Sequence, residues 1–233
     1  MTPPAEIAVL DLAGTTVNDQ GLVMAAFEAA MAAQGVAPGD ERFQSMVDYV
    51  KTTMGASKIE VFTALCGGVA DLAQQANQVF ETTFQDLVAD GLAAPIEGAE
   101  AAIVALQTAG IKVALTTGFS PQTRDGLITA LGWDDLADVV LSPADVGRGR
   151  PYPDLALGAL LRLAGTAVSA LVTVGDTLAD VQSGLSAGAG LVVGVTTGTH
   201  SRDELTMAGA HLVLRSVADL PEVLGVASVA TPG

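Results

Sequence analysis

Asp11 ends a short apolar run, residues 7–12, and the turn Leu12-Ala13-Gly14-Thr15-Thr16 follows it. A carboxylate leaving a buried strand at such a turn can serve as nucleophile or metal ligand; an acid in a helix-capping turn is the plainer alternative. A second run ends in Val174-Gly175-Asp176-Thr177-Leu178-Ala179-Asp180. Asp176 and Asp180, four apart at a helix start, can face one point. Three acids at two strand ends form an oxygen cage suited to Mg²⁺. The run 112–116 ends in Thr116-Thr117-Gly118, whose hydroxyls and backbone N–H groups can hold phosphoryl oxygens. After the next run, Gly147-Arg148-Gly149-Arg150-Pro151-Tyr152-Pro153 brings permanent cations toward the same edge.

These side chains meet only if the runs that carry them lie in one sheet. The runs are 7–12, 112–116, 139–142, 171–175, 191–195 and 211–214. Each is continuously apolar rather than alternating, as strands buried on both faces should be. Helical patterns at 99–109, 121–131, 153–164, 179–187 and 201–208 separate them. Strand and helix in alternation predict an α/β, doubly wound (Rossmann-like) parallel sheet with ligands at the carboxyl ends of the strands. From 18 to 92 the pattern is helical only, at 21–34, 41–50, 58–65 and 71–90, and a linker-like segment, 94–98, follows. The expected organisation is therefore a core of 1–17 and 93–233 with a helical lid, 18–92, inserted after the first strand.

Composition excludes several classes. The 233 residues are 50% hydrophobic and 15% charged, so a large core forms and disorder is excluded. Twenty-six acidic residues against 10 basic ones give a net charge of −16. Nucleic acid and anionic membranes are not expected partners of such a surface. Cys66 is the only cysteine and reads as a small buried hydrophobe, with no disulfide or thiolate zinc site. Residues 181–201 lack Asp, Glu, Lys and Arg, but their five glycines fit helix, turn and buried strand better than a membrane span. Residues 1–6 carry no basic stretch, so no signal peptide is read and a cytoplasmic protein is expected.

In this order on successive strand ends, a nucleophilic carboxylate, a hydroxyl, a cation and metal carboxylates resemble the haloacid dehalogenase superfamily over the whole chain. The insert is similar to that superfamily's cap domain. Two departures point to one branch. Most phosphatases there carry an acid two residues after the nucleophile, where this chain has Ala13; most use a lysine in the third motif, where this chain has Arg150 before Pro-Tyr-Pro. With these, Asp-x-Ala-Gly-Thr resembles the phosphonoacetaldehyde hydrolase (phosphonatase) family. So does Met54-Gly55-Ala56-Ser57-Lys58, which matches that family's Met-Gly-x-x-Lys cap segment. The resemblance implies Asp11 as nucleophile and Lys58 as Schiff-base former. Thr116 and Arg150 would hold the phosphoryl group, with Thr15, Met54, Thr117, Gly118 and, more weakly, Arg148 as further contacts. Mg²⁺ would lie among Asp11, the Ala13 carbonyl, Asp176 and Asp180. A homodimer through the cap is also implied.

The chemistry explains why these marks travel together. Breaking a phosphate ester expels an alkoxide that a nearby acid protonates. Breaking a C–P bond expels a carbanion, which an iminium between Lys58 and a carbonyl β to phosphorus can delocalise. Lys58 must be neutral to attack, against an ordinary pKa near ~10.4. Ser57-Lys58-Ile59-Glu60 fits a capping box that puts Lys58 in a first helical turn, where the dipole favours the neutral amine. Of the other lysines, Lys112 begins a core strand, and Gly55 separates Lys51 from Lys58. One family mark is missing: Val61 stands where phosphonatases have a histidine. His200 and His211, near late strands, read as structural. Two alternatives stay open, a phosphate-ester phosphatase of the same superfamily and a phosphoacceptor receiver module. The second is about half this length and has no lid.

Overall fold

Every residue of β1 (Ile7–Asp11) is buried, as a central strand covered on both faces requires. In the computed structural model, which describes residues 5–18 and 21–226, β1 is flanked by β4 (Lys112–Thr116) and β6 (Leu171–Gly175). β5 (Val139–Leu141), β7 (Leu191–Val195) and β8 (Leu212–Leu214) complete a six-stranded sheet in the order β5-β4-β1-β6-β7-β8. All its pairs are parallel. Asp11 pairs with Thr116, and Leu10 with Val174, so the predicted site residues leave the sheet at one edge.

Alternate residues of β1 enter different cores, which is the signature of double winding. Ala8 and Leu10 pack with α5 (Ala99–Thr108) and α6 (Pro121–Leu131); Ile7 and Val9 pack with α8 (Asp154–Arg162) and α9 (Leu178–Ala187). Ser120 caps α6 and Gly132, at φ 69°, ends it. The short helices α7 (Pro143–Val146), α10 (Arg202–Met207) and α11 (Leu220–Val223) finish the core.

Between β1 and α5 lie α1 (Leu22–Ala33), α2 (Glu41–Thr52), α3 (Lys58–Leu65) and α4 (Ala70–Ala89). Phe27, Phe62, Phe80 and Phe84 hold this insert together, with Phe27 and Phe62 stacked at 6.1 Å. Phe119, from the loop after β4, lies 4.6 Å from Phe84, so insert and sheet share one apolar cluster. Two short strands were not foreseen. β2 (Val17–Asn18) and β3 (Ala94–Pro95) pair antiparallel where the chain enters and leaves the insert. Residues 94–98, expected as a linker, thus begin with a strand; two residues carry no readable periodicity. The first four and last seven residues of the expected core, and Asp19-Gln20 of the expected insert, lie outside the described residues. Among the described residues no helix is long and apolar enough to cross a membrane.

Candidate active site

Asp11, Asp176 and Asp180 each offer an oxygen within 4.8 Å of the others, and all three are buried. The turn Gly14-Thr15-Thr16 and the Thr177 cap of α9 shape this cluster. Thr15 donates its hydroxyl to Asp176 (3.2 Å), and the Thr199 amide donates to the other oxygen of Asp176 (2.7 Å). Asp180 closes a capping box with Thr177. Its remaining oxygen forms an ion pair with Arg150 at 3.0 Å. Two glycines make room for Asp176. A Cβ on Gly14, at φ 87°, would lie 2.6 Å from its carboxylate, and one on Gly198 would lie 2.0 Å away.

Arg150 is only 3% exposed and is the cation of the cluster. It donates to Asp11 (2.5 Å) and to the Thr116 hydroxyl (2.9 Å). Three carboxylates facing one guanidinium leave a buried excess of two negative charges when all are ionised. Accordingly, burial pushes Asp11 well above the ordinary carboxylate range; Arg150 opposes the rise, and Asp180 and Asp176 add to it. Burial and the Asp180 charge push Asp176 up to about 6. A divalent cation among these oxygens would cancel the excess, and an all-oxygen donor set suits a hard cation such as Mg²⁺. The residues therefore fit a metal.

A prediction follows from the signs. An acid whose pKa is raised by folding makes the folded state stable below its unfolded pKa, near ~3.9, and less stable as pH rises through its folded value. The metal-free protein should thus lose the stability contributed by Asp176 as pH rises from ~4 through about 6. Mg²⁺ needs the ionised cluster, so the rise in melting temperature on adding Mg²⁺ should be large at pH 7.5 and mostly gone at pH 5. Thermal melts with and without Mg²⁺ at the two pH values read this directly. An equal rise at both would place the metal elsewhere.

The segment Met54-Gly55-Ala56-Ser57 lies flat on the strand ends. Ala56 forms a β-bridge with Arg150, and the Lys58 amide donates to the Gly118 carbonyl at 3.3 Å. The approach is close: a Cβ on Gly55 would sit 2.5 Å from the Thr177 hydroxyl, and one on Gly118 2.5 Å from the Ala56 carbonyl. Between segment and sheet lies a cavity of about 720 Å³. Asp11, Ala13, Met54, Lys58, Thr117, Gly118 and Arg150 all border it. The Lys58 ammonium stands 5.7 Å from the centre of the Phe119 ring, at the first residue of α3.

Several expectations change. Thr116 does not border this cavity; its hydroxyl accepts from Arg150 and donates to Leu10, because neighbours along a strand face opposite ways and it is Thr117 that faces the cavity. The Thr117 amide donates to the Leu141 carbonyl and its hydroxyl oxygen accepts from the Phe119 amide at 3.2 Å, which leaves the hydroxyl proton for a ligand. Thr15 is fully buried behind Asp176 and does not reach the cavity. Arg148 is turned away: it forks onto Asp154 (2.7 Å) and stacks 4.2 Å from the Tyr152 ring. Ser57 is the N-cap of α3, but its side chain caps nothing, so the expected capping box with Glu60 is not formed. Lys51, expected to stand apart, borders the same cavity from the last turn of α2. Lys112 is at the opposite edge, donating to the Leu163 carbonyl. His211 is structural, accepting from the Val192 amide at 3.1 Å. His200 is not simply structural, because it borders the cavity. No motif marked it; only the loop after β7, folded back onto Asp176, brings it there.

Comparison with known proteins agrees with this geometry. A phosphonoacetaldehyde hydrolase of Syntrophobacter fumaroxidans is 28% identical, covering 96% of this chain and 92% of that protein. One of Bacillus cytotoxicus is 28% identical over 158 residues, so the chain spans 59% of that relative's length. The crystal structure of a phosphonoacetaldehyde hydrolase-like protein from Oleispira antarctica superposes with a TM-score of 0.80 at 27% identity, covering 96% of this chain and 92% of that one. The family model described as haloacid dehalogenase-like hydrolase matches residues 5–188, well over half the chain. With that match, the chain belongs to the haloacid dehalogenase-like hydrolases.

Proposed function

We propose that this hydrolase cleaves the C–P bond of phosphonoacetaldehyde or a related 2-oxoalkylphosphonate. The observation that carries this reading is one cavity bordered by Asp11, Arg150 and Lys58, with Ala13 where an oxygen leaving group would need an acid. Residues 18–92 act as the cap, and 1–17 with 93–233 as the catalytic core.

The steps follow from the groups present. The Lys58 amine adds to the substrate carbonyl and water leaves, giving an iminium. The phosphoryl group lies against Arg150, with the Thr117 hydroxyl and Gly118 on its other side. Asp11 attacks phosphorus, and the C–P electron pair moves into an enamine conjugated with the Lys58 nitrogen. Protonation at carbon and hydrolysis return the amine and release an aldehyde or ketone. Water hydrolyses the aspartyl-phosphate to orthophosphate. Asp11, Asp176 and the Ala13 carbonyl, with Asp180, would hold Mg²⁺, which would neutralise charge on the phosphoryl oxygens.

The test is orthophosphate release from a panel of 2-oxoalkylphosphonates and phosphate esters, with and without Mg²⁺. Release from the phosphonates, dependent on Mg²⁺, is expected. Turnover of esters alone would favour the second reading, a phosphate-ester phosphatase. One observation favours that second reading: Val61 is buried and offers no proton-transfer group where phosphonatases have histidine.

We further propose a cytoplasmic homodimer joined through the cap. Ile59, Val69 and Leu72 are exposed apolar side chains on the insert and support this arrangement. Light scattering at micromolar concentration should give twice the 23.4 kDa chain mass. A monomer would refute it.

A further inference from the structure

The cavity is larger than a two-carbon phosphonate needs. Its volume, about 720 Å³, falls in the range of sites for much larger ligands. An open lid does not account for this, since the Lys58 amide and the Ala56 bridge already join the insert to the sheet edge. The wall formed by the loop after β7 is polar. There Thr197 donates its hydroxyl to the Gly14 carbonyl, and the Thr199 amide donates to Asp176. These bonds fix the next residue, His200, whose own amide donates to the Asp176 carbonyl.

His200 is 9% exposed and borders the cavity. Its Nδ1 is enclosed and has no hydrogen-bond partner among the described residues. Glu204, which also borders the cavity, accepts the amide and hydroxyl of Ser201 with one carboxylate oxygen and makes no hydrogen bond to that nitrogen. Buried polar atoms are nearly always partnered, and an unmade bond there is unfavourable. Among the described residues nothing fills that place, and a group held in the adjoining cavity is the partner the site leaves room for.

We propose that His200 is a substrate-contacting residue that hydrogen-bonds a polar group on the carbon side of the substrate. This rests on the reading of the cavity as the place where an organic phosphonate or ester is cleaved. It also names the substrate class more closely: the carbon chain extends beyond the phosphoryl group and carries a carbonyl or hydroxyl that reaches the core wall. His200 then takes up, from the core, part of the polar role that the cap lacks at Val61.

The experiment compares His200→Ala and His200→Asn with wild type on whichever organophosphonate or ester wild type turns over best. Orthophosphate affinity is measured in parallel, because orthophosphate occupies the phosphoryl pocket alone. Loss of one hydrogen bond should raise KM of His200→Ala about tenfold, with orthophosphate affinity within about twofold of wild type and partial recovery in His200→Asn. Equal KM in all three proteins would overturn the proposal. So would parallel loss of substrate and orthophosphate binding with a lowered melting temperature, which marks a structural histidine. If His200→Ala does not fold, His200→Asn decides: wild-type KM there, without change in orthophosphate affinity, would leave the contact supported only if His200→Leu, of similar bulk, weakens substrate, and a wild-type KM in His200→Leu overturns it. Failure of the C–P reading is seen separately, as wild type acting on esters only, and the His200 comparison is then read on the ester.

Discussion

Asp11→Asn should abolish turnover, by at least about 10⁴-fold in kcat, on every substrate that wild type accepts. The expectation rests on position. Asp11 ends the central strand, borders the cavity and accepts from Arg150 at 2.5 Å. An amide oxygen there accepts the same hydrogen bond but does not attack phosphorus. The variant should also fold. In wild type, burial and two neighbouring carboxylates hold Asp11 far above the ordinary range, so a neutral side chain removes an unfavourable charge from the metal-free protein. The melting temperature without Mg²⁺ should stay level or rise, and the increase on adding Mg²⁺ should shrink. Rapid-quench trapping of the phosphorylated enzyme separates the roles: wild type should accumulate it from labelled substrate and Asp11→Asn should not. Retained orthophosphate release by the variant would remove the covalent step from the mechanism.

The sheet was legible because its strands are buried on both faces. Runs such as 112–116 and 171–175 are mostly apolar without alternation and end at the observed strand ends. Helices α1 to α4 lie close to the helical stretches expected at 21–34, 41–50, 58–65 and 71–90. Three features were not legible. β2 and β3 are two residues each and exist only because the chain crosses itself on entering and leaving the insert. The choice between Thr116 and Thr117 depends on which face a strand's last residue presents, and adjacent threonines carry no mark of it. His200 depends on a loop bending back to Asp176, a contact 24 residues away in sequence that no local pattern encodes. Arg148 failed for a related reason: the spacing put two arginines near the edge, but Asp154 and Tyr152, six and four residues later, draw one of them outward.

The two sides of the cavity, which the proposed function gives to the phosphoryl group and to the carbon chain, are built from different material. The first consists of strand ends and buried charges, locked by Arg150 between Asp11, Asp180 and Thr116. The second is made by the flat segment 54–57, the head of α3 and the loop after β7. Ala56 bridging to Arg150 ties the two, and Arg150 is in turn paired with Asp11. On the proposed reading, chemistry at phosphorus falls to the strand ends and the choice of leaving group to residues outside the sheet.

Lys58→Arg should be inactive on 2-oxoalkylphosphonates, with a loss of at least about 10³-fold, because guanidinium keeps the charge but forms no imine under these conditions. Borohydride added to wild type together with such a phosphonate should reduce the imine to a secondary amine and inactivate the enzyme irreversibly. Borohydride alone should not. Lys51 borders the same cavity, so the site of the adduct must be read rather than assumed. Trypsin makes the reading clean. Cleavage at Arg42, Lys51, Lys58 and Lys112 gives fragments 43–51, 52–58 and 59–112. An adduct on Lys58 blocks cleavage there and yields a joined fragment, 52–112; an adduct on Lys51 yields 43–58 instead. The joined fragment 52–112, heavier by the reduced carbon chain, is the expected product. Lys51 stands in the last turn of α2, whereas Lys58 opens α3 beside Phe119, on the segment that meets both Arg150 and Gly118. Fragment 43–58 carrying the mass would transfer the Schiff-base role to Lys51. Full activity of Lys58→Arg on phosphonates, with no adduct on either lysine, would remove the imine altogether and leave the protein a phosphatase whose cap lysine binds charge.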